Sequence, residues 1–151
     1  MTLLQKQLGR FPLGVWLAFL ALGLLCVAWV MQGYSLLDWD WAMKLGFQNE
    51  GFDGDPAERA WALESWGVAM ADMLWPMPVT LVALVGMLRT RFYGLVFAMM
   101  AFSVGVHFPL FFAFQRWATF PGFVIAALLL FTLPGLIGIV GLWANYRTFV
   151  G

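Results

Sequence analysis

Four apolar runs, each roughly the 20 residues that cross about 30 Å of hydrocarbon as an α-helix, set the limits on what this chain can be. They cover residues 11–31, 66–88, 92–114 and 121–143. None shows the alternating pattern of about ten residues that a membrane β-strand requires. Charged residues make up 11% of the chain and hydrophobic ones 63%, whereas a soluble domain carries about 25% charged residues. The mean hydropathy is +0.85. The sequence therefore predicts an all-α integral membrane protein, a four-transmembrane-helix bundle in a single domain over 1–151, whose first partner is the lipid bilayer.

The first run follows Lys6 and Arg10. At about 20 residues it exceeds a cleavable signal core, and no small-x-small cleavage site follows it, so it reads as an uncleaved anchor. Cys26 is the single cysteine, which excludes an internal disulfide and argues against thiol redox chemistry.

Flanking cations give an orientation. Lys6, Arg10, Arg89, Arg91 and Arg147 fall on the side of the termini and the 88–92 turn, against Lys44, Arg59 and Arg116 on the other. The positive-inside rule then places both termini in the cytoplasm, as expected for a bacterial inner-membrane protein. No basic cluster is visible along the chain, so neither nucleic acid nor an anionic lipid patch is expected as a partner.

The one sizeable non-spanning piece, 32–59, holds most of the acids. Within it, residues 35–47 place Leu37, Trp41 and Leu45 at i, i+4, i+8, the spacing of a short amphipathic helix lying in the interface. Asp55-Pro56-Ala57-Glu58 supplies an N-cap, a proline at the first helical position and an acid two residues later, so helix 2 is expected to start at Pro56. The acids Glu50, Asp53, Asp55 and Glu58 fit capping and solvation better than a calcium loop, because Glu58 stands where the turn glycine should be. Small residues at Gly135, Gly138 and Gly141, and at Gly67 and Ala71, predict close helix packing. Pro76, Pro78, Pro109 and Pro134 interrupt three of the four runs, each leaving the carbonyl four residues back without its helical donor.

Asp72 lies within the second run, where an ionised carboxylate costs several kcal/mol unless it is paired, wet or protonated. Such a residue is a site hypothesis by default, and His107 is the partner the chain offers. The connection at Arg89-Thr90-Arg91 is short enough to force antiparallel neighbours. Residues equidistant from Thr90 on straight helices lie at one depth, and Asp72 and His107 are almost equidistant from it. Glu64 and Arg116 match in depth too. Their positions around each helix, about 80° from Asp72 and about 180° from His107, prevent both pairs from facing each other on straight helices. Asp72 and His107 are the candidate acid–base pair, and Glu64, Arg116, Ser103 and Trp75 the further candidate binding residues.

No metal site is expected. Met70, Met73 and Met77, with Met99 and Met100, suit Cu(I) in softness but read as core filler. No cofactor is identifiable. Three functions fit: binding a lipophilic small molecule or serving as accessory subunit of a membrane complex; an intramembrane acid–base enzyme on a lipid-like substrate; or a proton- or cation-coupled transporter, which with four spans would need a homo-oligomer.

Overall fold

The computed structural model describes residues 2–150. The chain is 80% helical, with four helices long and apolar enough to cross a membrane: Leu13–Leu37, Pro56–Leu88, Phe92–Arg116 and Pro121–Ala144. It divides into two compact units. One combines Met1–Leu25 with Val79–Gly151, and the other is Cys26–Pro78.

In the first unit, Gln7–Leu8 (β1) pairs antiparallel with Phe11–Pro12 (β2) through a turn at Gly9, whose φ of +64° favours glycine. That hairpin takes the first two residues of the 11–31 run, so α1 starts at Leu13 and runs to Leu37, six residues further than the sequence suggested. Fully buried Phe11, Val15, Leu22, Met87, Phe102 and Leu142 form the unit's core.

Helix α4, Pro76–Leu88, and helix α5, Phe92–Arg116, are joined by the expected short turn. The α4 end is a Schellman cap: the Arg91 N–H donates to the Gly86 carbonyl at 2.9 Å and the Thr90 N–H to that of Met87 at 3.0 Å. The cap's left-handed position is Thr90 at φ 51°, where a β-branched residue is strained. The Arg10 guanidinium adds a second stop, donating to the Leu88 carbonyl at 2.8 Å.

Glycines set how closely these helices approach. A Cβ on Gly86 or on Gly94 would run into the other's backbone, so α4 and α5 touch main chain to main chain. Gly138 receives the ring of Phe102, and Gly135 lies against Val106. Gly141 meets α1 at Gly14, where a Cβ would stand 2.5 Å from the Gly14 carbonyl oxygen. The expected packing role of Gly135, Gly138 and Gly141 is thus observed. That of Gly67 and Ala71 is not: both are exposed, and a Cβ on Gly67 meets nothing within 4 Å. Helix α3, Pro56–Leu74, buries the face of Ala62, Ala69 and Asp72 instead.

The fourth span is composite: α6 over Pro121–Ala127, a π-helical turn over Leu128–Thr132, and α7 over Leu133–Ala144. Its physical origin is Pro134, which has no N–H and crowds the preceding turn. The Leu133 N–H accordingly reaches back five residues to the Leu128 carbonyl, a widened turn of the kind that relieves such crowding.

The second unit contains the far part of α1, helix α2 (Trp39–Lys44), the acidic loop and α3 (Pro56–Leu74). Asp38 caps α2 by accepting from the Trp41 N–H at 3.0 Å. The amphipathic helix expected over 35–47 is therefore shorter. Leu37 ends α1 and Leu45 caps α2, because the Asp38 cap is a local break that the periodicity does not register. Asp55 caps α3 as expected, accepting from the N–H groups of Ala57 at 2.8 Å and Glu58 at 2.9 Å. Glu58 Oε1 accepts from the Gly51 N–H, and the Trp39 indole donates to the Glu50 carbonyl at 2.9 Å. These bonds tie the acidic loop onto the two helices beside it.

A candidate polar site at the break in the second span

The break between α3 and α4 falls at Trp75, with φ −128° and ψ −66°. The Trp75 N–H still donates to the Ala71 carbonyl at 3.1 Å, and the ladder stops there. Pro76 has no proton for the Asp72 carbonyl, and Pro78 has none for that of Leu74. Two main-chain acceptors within one turn thus lose their helical donors.

The Asp72 side chain belongs to the same turn and is buried, at 3% exposure. Among the described residues of its own unit, none donates a hydrogen bond to it. A carboxyl group and two released carbonyls, all of them acceptors, thus fall within three consecutive residues of the chain. What satisfies them must bring donors or positive charge: a hydroxyl, an amine, a cation, or a proton on the acid itself. The sequence points to Asp72 and its carbonyl. The Leu74 carbonyl it leaves unremarked, although Pro78 four residues on was the signal.

The other candidates distribute as follows. Trp75 caps α3 and is 58% exposed beside the break. Glu64 is exposed on α3. Met73, from the methionine stripe, packs its sulfur against Gly33 of α1 within the same unit, as core filler does. His107, Ser103 and Arg116 belong to the first unit. Ser103 and His107 are exposed one turn apart on α5, and the Ser103 hydroxyl donates to the Met99 carbonyl at 2.8 Å. Arg116 is the last residue of α5 and is buried. The 1.5 Å-per-residue ruler that matched Asp72 to His107 assumed one straight helix over 66–88, and the observed helix ends at Leu74 and restarts at Pro76. Depth along α4 therefore does not carry unbroken to Asp72.

One polar group escaped the sequence reading altogether. Thr132 Oγ1, in the π-turn, is buried with no hydrogen-bond partner among the described residues. Its signal was its place two residues before Pro134.

No family model, curated protein or solved structure compared with this chain matches it.

Proposed function

We propose that this is a small integral membrane protein that binds a lipophilic molecule at the α3–α4 break, through a hydrogen-bond donor that the molecule presents to Asp72. The observation that carries the reading is the acceptor cluster: a buried carboxyl with no donor in its own unit, beside two carbonyls released by proline. In hydrocarbon such groups are costly unless a partner meets them, and a ligand headed by a hydroxyl or amine brings the carboxyl its donor. The same chemistry serves an accessory subunit that holds a quinol-like or lipid cofactor for a larger membrane complex.

Membrane insertion itself is supported by the surface of the candidate spans. Leu20, Val27, Leu81, Val85, Phe114, Leu129 and Val140 are all exposed, and apolar surface spread over four long helices is suited to a lipid solvent. The cation bias supports an orientation with both termini in the cytoplasm of a bacterial cell. A membrane-impermeant thiol reagent applied from outside should then label a cysteine at Asn49 and leave one at Thr90 untouched, in a Cys26→Ala background. Labelling at position 90 alone inverts this orientation.

Binding is tested by native mass spectrometry of protein extracted gently from its membrane. The wild type should carry a co-purifying lipophilic species that organic extraction removes and identifies. Asp72→Asn, which keeps the shape and exchanges an acceptor oxygen for a donor, should lose it, while Glu64→Gln should retain it. Equal occupancy in the wild type and Asp72→Asn would sink the reading.

A further inference from the structure

The two units divide the chain's acidic side chains completely. All eight acids lie between residues 26 and 78, so the first unit holds six cations (Lys6, Arg10, Arg89, Arg91, Arg116 and Arg147) and no carboxylate side chain. Five of the six collect at one end of that unit. The Gln5 amide donates to the Ala144 carbonyl and the Asn145 amide to that of Leu4, which fastens the N-terminal segment carrying Lys6 and Arg10 to the end of α7. The Arg10 bond to Leu88 fastens it to the turn carrying Arg89 and Arg91. Arg147 sits in the 3₁₀ turn Tyr146–Phe149 just after α7. The sequence shows no basic cluster because these residues are dispersed along it; the fold assembles one.

All five are exposed, and no acid of their own unit can neutralise them. Two are held in fixed attitudes by aromatic rings: the Arg10 guanidinium lies 5.0 Å from the Phe11 ring centroid and that of Arg147 6.0 Å from the Tyr146 ring. Arg147 Nε also donates to the Tyr146 hydroxyl at 3.4 Å. That hydrogen bond raises the Arg147 pKa above its usual value, so the group stays cationic at any working pH. Beside it opens a cleft of about 540 Å³ lined by Gln5, Ala144, Asn145, Tyr146, Arg147 and Thr148. Asn145 spends both amide protons on main-chain carbonyls, and Gln5 one of its two. The remaining donors in the cleft are the Arg147 fork, the second amide proton of Gln5 and the hydroxyls of Tyr146 and Thr148. Exposed Trp143 and Tyr146 stand at this end of the span, where amphipathic rings mark the headgroup level.

We propose that this end binds the phosphodiester headgroup of an anionic phospholipid, seated in the cleft on the Arg147 guanidinium with the other four cations as its field. A planar guanidinium matches a phosphate in two parallel hydrogen bonds, and the exposed rings lie at the depth where acyl chains begin. The site is separate from Asp72, and neither depends on the other.

The test is a lipid titration of the full chain in neutral detergent, read by native mass spectrometry and by thermal melting. Phosphatidylglycerol should bind saturably and raise the melting temperature, and phosphatidylcholine with the same acyl chains should bind about tenfold more weakly. Arg147→Gln should weaken phosphatidylglycerol about fivefold, the effect of one cation near an anionic headgroup, and adding Arg91→Gln should weaken it again. Arg147→Lys, which keeps the charge and loses the two-pronged hydrogen bond, should recover only part of the affinity, and Lys44→Gln in the other unit should change nothing. Equal binding of the two lipids, as an acidic protein partner in place of lipid would predict, overturns the proposal. So does undiminished binding by a folded Arg147→Gln variant, or a melting shift with inorganic phosphate as large as with the lipid.

Discussion

Replacing Asp72 by leucine is expected to make the ligand-stripped protein more stable, by about 1–3 kcal/mol, while abolishing ligand retention. A carboxyl buried without a donor in its unit returns little of the solvation it lost, and a leucine of similar volume returns apolar contact. Stability and function should therefore move in opposite directions at this position, as they do where a strained or costly group is kept for its chemistry. Detergent melting of wild type and variant, both delipidated before measurement, checks the stability arm. A lower melting temperature for Asp72→Leu would mean that the carboxyl is a structural anchor, and the binding role would go with it. Asp72→Asn separates the two effects further, because it retains a buried polar group and should leave stability close to wild type.

The second large effect is expected at Gly94. Gly94→Leu places a branched side chain where the backbone of Gly86 already lies. Overpacking costs about 1–3 kcal/mol where side chains can give way. Here the obstacle is main chain on a helix capped at both Leu88 and Arg91, so the loss should exceed that range and leave α4 and α5 unable to close. Size-exclusion profiles and melting curves should show an aggregated or unfolded protein. Gly23→Leu is the matched control: nothing lies within 4 Å of its Cβ position, so it should melt within a degree or two of the wild type. A Gly94→Leu protein that behaves like Gly23→Leu would contradict the helix contact described above.

What could be read from the residues alone follows from range. The four long apolar helices, the Asp55 cap and the tight turn near Thr90 are local patterns of length, capping chemistry and loop brevity, and the structure has each of them. The glycines of α7 were legible because three small residues on one helix face have few other uses in an apolar span. Gly67 misled for the reciprocal reason: two small residues four apart occur without a neighbour to receive them, and only the packing shows which. Asp38 ended a helix that periodicity would have continued, since a side-chain cap competes with the ladder without disturbing the apolar pattern. The five cations of the basic end were legible as sharing one side of the membrane but not as a cluster, because they lie on three separated segments joined by the Gln5, Asn145 and Arg10 hydrogen bonds. Pro134 told the sequence reader that the last span is broken, but whether the break becomes a kink or a π-turn is decided by which carbonyl the Leu133 N–H reaches.

That π-turn also fixes a phase. A helix turns about 100° per residue, and a five-residue hydrogen-bonded loop accommodates one residue more than an α-turn does. Everything after Thr132 is therefore rotated by about that angle from where an uninterrupted α6 would have carried it. The orientation that brings Gly135 to Val106, Gly138 to Phe102 and Gly141 to Gly14 is in this sense a matter of chain length rather than of side-chain identity. The segment Leu128–Thr132 should be permissive to apolar exchange and even to the loss of one residue, which an α-turn in its place absorbs with the phase kept, whereas a deletion between Gly135 and Gly138 would swing part of the glycine face away from the helices it meets, with every glycine still in the sequence.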